Sequence, residues 1–170
     1  SAQLEPPRLE RRIPDYLPVA EIDRLLAAPS TDEPLGRRDR AILEVLYASG
    51  IRVSELLSLV LSCLAFESGL LHVPIKGGLE RLVPIGRQAI AAVEGYLSGA
   101  RPYLARAHSA DVVFVNAHGN GLSRMGVWKI IKDNAPVVNV KVQYASALPE
   151  GIKSWTQMGG WQRPKGTIYE

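Results

Sequence analysis

In the run YASGIRVSELLSL, Arg52 stands two residues after Gly50 and three before Glu55, between two apolar stretches. Gly50 predicts the end of one helix and VSELLSL the start of another, so the Arg52 guanidinium is expected beside backbone N–H groups at the positive end of a helix. That setting suits an anion, above all a phosphate held through two oxygens by a planar fork. The same spacing fits an ordinary Arg52–Glu55 pair on a helix surface, worth about 0.2–0.5 kcal/mol. Lys76 is the second chemical candidate. It ends the first strand of a predicted hairpin just before Gly77 and Gly78, where a flexible amine with its pKa lowered by neighbouring charge would protonate a leaving alkoxide. An edge lysine that blocks strand pairing is the alternative. Arg81, across the hairpin, is open to both kinds of reading.

These side chains need elements to carry them. VAEIDRLLAAP spaces Ile22, Leu25 and Leu26 on one face and stops before Pro29, which predicts a short amphipathic helix. GRRDRAILEVLYASG repeats the pattern with Ile42, Val45 and Leu46 inward and Gly50 as its stop. In GLLHVPIKGGLERLVPIG the period becomes two. Leu71, Val73 and Ile75 alternate, Gly77 and Gly78 supply positive φ, and the return run ends in Val83 and Ile85, predicting a β-hairpin. RQAIAAVEGYLSG is helical again, DVVFVN predicts a brief strand, and Ser123 predicts the N-cap of RMGVWKIIKDNA. The expected fold is mainly α with a small antiparallel β-sheet. Residues 4–18 carry four prolines among charges and predict an extended linker. The division that follows is residues 1–16 as linker and 17–170 as one domain. After Asn134 a β-like alternation is mixed with prolines and glycines, and no helix of ordinary length is predicted.

With 170 residues, 46% of them hydrophobic and 22% charged, the chain is long enough for one core. No run approaches the ~20 apolar residues of a membrane span, and SAQLEPPRLERR lacks the apolar centre of a secretory signal, so the cytoplasm is the expected compartment and no membrane partner is expected. The single cysteine, Cys63, excludes an internal disulfide, and the histidines at 72, 108 and 118 are too far apart for a local ligand pair. No metal is expected. The net charge of +3 and the clusters RLERR, GRRDR and WKIIK leave an anionic partner open.

Three phrases, LGRRDRAILEVLYASGIRVSELLSL, IKGGLERLVPIG and FVNAHGNGLSRMGVWKIIK, resemble in order and separation the catalytic domain of tyrosine recombinases of the phage-integrase type, most closely the bacterial Xer site-specific recombinases. The resemblance covers about residues 17–134 and implies that family's catalytic-domain fold. It implies site-specific DNA recombination or integration, in which a tyrosine attacks a phosphodiester, leaves a 3′-phosphotyrosyl link that conserves the bond energy, and is displaced by a hydroxyl of a second strand. Arg52 would be the first of two arginines on the scissile phosphate's non-bridging oxygens, with Glu55 supporting it and Lys76 protonating the departing 5′-hydroxyl. Neither cofactor nor metal would be needed. Double-stranded DNA would be the partner, with a homo-oligomer, a tetramer in the family, assembled on it. The helix with Arg124, Lys129 and Lys132 would face the DNA, and Arg81 and the linker arginines Arg8, Arg11 and Arg12 would add phosphate contacts. A solvated basic face is the alternative for those charges. Trp128, at helical spacing with Ile131, reads as core.

Later residues depart from the family pattern of His-x-x-Arg, then a His or Trp after a glycine, then the tyrosine. Setting YASALPEG on the family's Phe-Ala-Thr segment puts Val138 at the histidine and Lys141 at the second arginine. GGW makes Trp161 the candidate for the next step and GTIYE makes Tyr169 the candidate nucleophile, at a shorter spacing than usual, so residues 134–170 read as degenerate or shortened. Lysine is a point charge where the family has a planar fork, valine has no donor, and losing one preorganised donor typically costs ~10²–10³ in rate. Two expectations follow: a strand-exchange enzyme using Arg52, Lys76 and Tyr169 with Lys141 impaired, or a non-catalytic DNA-binding or partner-binding remnant. The family's amino-terminal helical clamp is expected to be missing, with the chain starting in the linker that joined it.

Overall fold

The computed structural model describes residues 17–75, 77–109 and 111–135. Lys76, Val138, Lys141, Trp161, Tyr169, the arginines at 8, 11 and 12 and the expected linker of residues 1–16 lie outside the described residues. From Pro18 to Ala135 the described residues belong to one compact unit.

Helix α1 (Val19–Ala27) buries Leu26 and half-buries Ile22 and Leu25, as the spacing predicts. Helix α2 (Pro34–Ser49) begins two residues earlier than its apolar pattern suggests, because Pro34 sits in the first turn, where a missing N–H costs nothing. Gly36 lies against the Ser30 carbonyl so closely that a Cβ would collide with it. The helix stops at Gly50, whose φ of 60° is left-handed and whose N–H bonds back to Leu46 O. Ala41, Ile42 and Val45 point inward, and Leu46 lies half-buried at the margin. Two further helices follow the sheet, α4 (Arg87–Gly99) and the short α5 (Arg101–Leu104). Packing of α2 on α4, through Ala89 and Val93, forms the centre of the core.

The sheet has three antiparallel strands in the order β1 (Leu64–Ala65), β2 (Leu70–Pro74) and β3 (Glu80–Pro84). Register pairs Leu71 with Val83 and Val73 with Arg81. Leu71, Val73 and Val83 face the core, while Glu80 and Leu82 are exposed, which is the period-two signature of a sheet wet on one side. Ile75 N–H donates to Leu79 O at 2.8 Å to close the turn, and Gly77 and Gly78 take φ of 90° and 74°. The hairpin is therefore where its sequence puts it. Strand β1 is an addition, too short to carry a pattern of its own.

The strand expected over DVVFVN does not form. Only isolated bridges, Val60 to Val112 and Val115 to Gly121, touch this segment. Its apolar side chains are nonetheless buried at Val113, Phe114 and Val115. Its backbone is shared between neighbouring chain, with Val113 N–H donating to Leu59 O (3.0 Å) and Asp111 O accepting from Leu61 N–H (2.8 Å), and side chains that take groups a strand partner would otherwise meet. Val113 O accepts from Tyr96 Oη (3.1 Å) and Arg101 Nε (3.2 Å), and Val112 O accepts from Arg101 Nη2 (2.9 Å). Val115 N–H donates to Tyr96 Oη at 3.2 Å, and Val115 O accepts from Arg38 Nη1 at 3.2 Å. Three helices thus reach in to satisfy a buried extended segment, as a buried backbone requires. Tyr96 also stacks on Phe114, with ring centroids 5.5 Å apart.

That segment leads through a turn to α6 (Arg124–Asn134). Ser123 is its N-cap, as expected, with Oγ accepting from Gly126 N–H at 3.1 Å. Val127 and Ile130 are buried, Ile131 packs against the core and Trp128 is half-buried.

Candidate functional site

Helix α3 (Val53–Ser58) places the first chemical residue. Its N-cap is Arg52, in extended backbone, with buried Leu56 on the inner face and Leu56 N–H bonded to Arg52 O at 2.9 Å. The anchor is apolar and the cap is exposed, so the sequence itself turns the Arg52 side chain outward. With only six residues, α3 adds little field at its N-terminus. The Arg52 backbone N–H is also taken: Glu55 Oε2 accepts it at 2.7 Å. That N–H is therefore committed to the carboxylate rather than open to an anion.

Glu55 has a second partner. Arg81 Nη2 on β3 lies 2.9 Å from the same Oε2, across 26 positions of sequence. Burial, the largest single influence on the Glu55 carboxyl, pushes its pKa up. The hydrogen bonds from Arg52 N–H and Arg81, with the two guanidinium charges, outweigh it and hold the carboxyl below the usual glutamate range. Glu55 is thus a fixed negative charge between two arginines. The β2–β3 hairpin is tied by its side to the cap that bears Arg52. Lys76, between Ile75 and Gly77 in sequence, lies outside the described residues.

Helix α6 packs against α3 and α2. Arg124, Lys129 and Lys132 are all exposed on it, and Lys129 pairs with Asp133 at 2.6 Å. Among the described residues, Arg124 and Lys132 have no acidic partner. The GRRDR cluster behaves differently. Arg37 Nε donates to Thr31 O (2.6 Å), buried Arg38 binds Asp39 (2.6 Å) and Val115 O, and Arg40 reaches Glu44 at 3.8 Å. Burial raises the Asp39 carboxyl, against the pull of Arg38. Those arginines serve the fold, so the basicity read from that cluster does not add up to a surface patch.

Among the described residues no group of His, Cys, Asp and Glu could hold a metal, His72 instead meeting Glu80 across the hairpin at 3.1 Å, and Cys63 is buried. No helix among them is long and apolar enough to cross a membrane. An open cleft of about 700 Å³ between α1, α2 and α4 is lined by Asp23, Arg37, Arg40, Glu44 and Gln88, and contains none of the Arg52 group.

A profile of the phage integrase family matches residues 15–146. The chain belongs to the phage integrase family. Its similarity to named members is substantial: 46% identity over 131 residues to tyrosine recombinase XerD of Shewanella oneidensis, covering 77% of this chain and 44% of that protein. Tyrosine recombinase XerD of Halalkalibacterium halodurans is 43% identical over 140 residues, covering 82% of this chain and 47% of the relative. A crystal structure of XerA recombinase superposes with a TM-score of 0.65 at 26% identity, over 76% of this chain and 45% of that one. The chain spans a little under half the length of the curated relatives it matches. The mainly helical fold with its three-stranded antiparallel sheet is that of a tyrosine-recombinase catalytic domain.

Within this phage integrase domain, sequence reasoning placed Arg52 and Glu55 together but set Arg81 among DNA contacts. The Arg81–Glu55 link was missed because nothing local announces it. The available signal was weak: a hairpin arginine opposite Val73 in register, and a carboxylate with no lysine or arginine four residues on.

Proposed function

We infer that this chain is the catalytic part of a site-specific DNA recombinase that cuts and rejoins strands through a 3′-phosphotyrosyl intermediate. The observation that carries this reading is Arg52, exposed at the cap of α3 with its backbone pinned by an ionised Glu55, in a chain of this family. A guanidinium so mounted takes two non-bridging phosphate oxygens in one plane and offsets the charge that grows on them as the nucleophile attacks. In this reading Lys76 gives a proton to the leaving 5′-oxygen, Tyr169 attacks phosphorus, Lys141 stands where the second arginine is usual, and Trp161 occupies the glycine-histidine/tryptophan step. No metal ion or cofactor enters the chemistry. Arg124 and Lys132 on α6, beside α3, neutralise flanking phosphates of double-stranded DNA, with Lys129 contributing less while it pairs with Asp133. The partner protein is another copy of the chain, in an assembly on DNA, and the compartment is the cytoplasm, where chromosomal DNA lies.

Val138 and Lys141 favour a second reading, a DNA-binding remnant without cleavage, since a valine cannot donate and an ammonium orients phosphate poorly. The division of the chain into a linker over residues 1–16 and a catalytic-like domain over 17–170 belongs to both readings. A pool of nicked suicide duplexes with randomised arms tests them. A covalent protein–DNA adduct that disappears in Tyr169→Phe is the expected result. Duplex binding with no adduct would leave only the remnant.

A further inference from the structure

One oxygen of the Glu55 carboxylate serves two partners. Glu55 Oε2 receives both the Arg52 backbone N–H at 2.7 Å and the Arg81 guanidinium at 2.9 Å, from elements 26 residues apart. The Glu55 side chain is 13% exposed and Arg81 45% exposed, so the contact lies where α3 meets the hairpin edge, with the carboxylate inside and the arginine covering it. Arg81 is paired with Val73 in the β2–β3 register, and the turn that follows β2 is closed by Ile75 N–H to Leu79 O at 2.8 Å. A displacement at Arg81 is therefore passed along the paired strands to the Ile75–Leu79 contact. Gly77 and Gly78, at φ of 90° and 74°, impose no side-chain contacts of their own to fix that turn against the rest of the domain. The Glu55 link is a polar tie between the hairpin and α3.

We propose that Arg81 is a positioning residue: through the shared Glu55 oxygen it holds the β2–β3 hairpin in register with the cap that carries Arg52, so that the groups on the two elements meet one phosphate. This rests on the strand-transfer reading and gives Arg81 a task other than phosphate binding. An arginine engaged on a carboxylate is charge-neutralised and contributes little to counterion release, whereas an arginine on a DNA phosphate contributes close to one ion. The two tasks therefore leave different marks on salt dependence.

The test uses the full chain as wild type, Arg81→Ala, Arg81→Lys, Glu55→Gln and the Arg81→Ala/Glu55→Gln pair. Three readouts are taken: amide exchange at Arg52 and Ile75 without DNA, the salt slope of binding to a mixed-sequence duplex, and adduct formation at saturating nicked duplex. The expected result is faster exchange at both amides in Arg81→Ala, an unchanged salt slope, and an adduct rate lower by about tenfold that saturating DNA does not restore. Arg81→Lys should recover part of the rate, and the double variant should be no slower than Glu55→Gln. A salt slope shallower by about 0.9 with unaltered exchange would make Arg81 a phosphate contact and overturn the proposal. Additive losses in the double variant would overturn it as well. A wild-type chain that gives no adduct removes the strand-transfer reading and the positioning role together, while adduct from wild type with normal saturating rates in Arg81→Ala removes the positioning role alone.

Discussion

Replacing Tyr96 by Phe isolates one oxygen in the core. The ring stays, stacked on Phe114, and no cavity opens, so the whole effect comes from the hydroxyl. Burial pushes the Tyr96 pKa up, so at neutral pH the group is a protonated phenol able to donate to Val113 O and accept from Val115 N–H. Val113 O keeps Arg101 Nε at 3.2 Å after the change. Val115 is fully buried and its N–H loses the phenol that receives it. A buried donor without a partner costs about 1–3 kcal/mol. Taking the middle, about 2 kcal/mol, the melting temperature of a chain this size should fall by roughly 4–8 °C. Urea unfolding followed by circular dichroism should show a lower midpoint with the slope unchanged, since the buried area is the same. Exchange at the Val115 amide should quicken more than at Leu71. A loss below about 0.5 kcal/mol, or an equally protected Val115 amide, would refute the claim that the Tyr96 hydroxyl stands in for a strand partner at Val115.

Three further outcomes are expected. Arg124→Gln and Lys132→Gln should each make the salt slope of duplex binding shallower by about 0.9, and Lys129→Gln by less, measured by fluorescence anisotropy across a salt series. Gly78→Ala should cost about 1–2 kcal/mol in urea unfolding, because φ of 74° is left-handed and an alanine Cβ is strained there even with open space around it. Glu55 gives a pH signature. Its folded pKa lies below the ordinary value of 4.5, so its stabilising contribution is complete above 4.5 and is lost as pH falls through the depressed folded value. The stability difference between wild type and Glu55→Gln should be flat above that ordinary value and shrink below it.

Signals that act over one or two turns were legible in the chain itself. The period-two run from Leu70 with two glycines after it specifies a hairpin, Gly50 specifies a left-handed helix stop, and Ser123 specifies a cap, because each is settled by backbone geometry within a few residues. The Arg52 cap and the Glu55 return bond belong to this group, lying three positions apart. What local chemistry could not decide was where distant polar groups find partners. Residues 111–116 have the composition of a strand, yet the carbonyls of Val112, Val113 and Val115 are met by Tyr96, Arg101 and Arg38, the last 77 positions away. GRRDR has the composition of a basic patch, yet Arg38 is buried, ion-paired with Asp39 and hydrogen-bonded to a carbonyl that only folding brings near. Arg81 and Glu55 meet only because the hairpin packs beside α3. Hydrogen bonds and ion pairs of this kind form after the core has chosen which faces touch. Residue type alone therefore set the menu of partners, and packing made the choice.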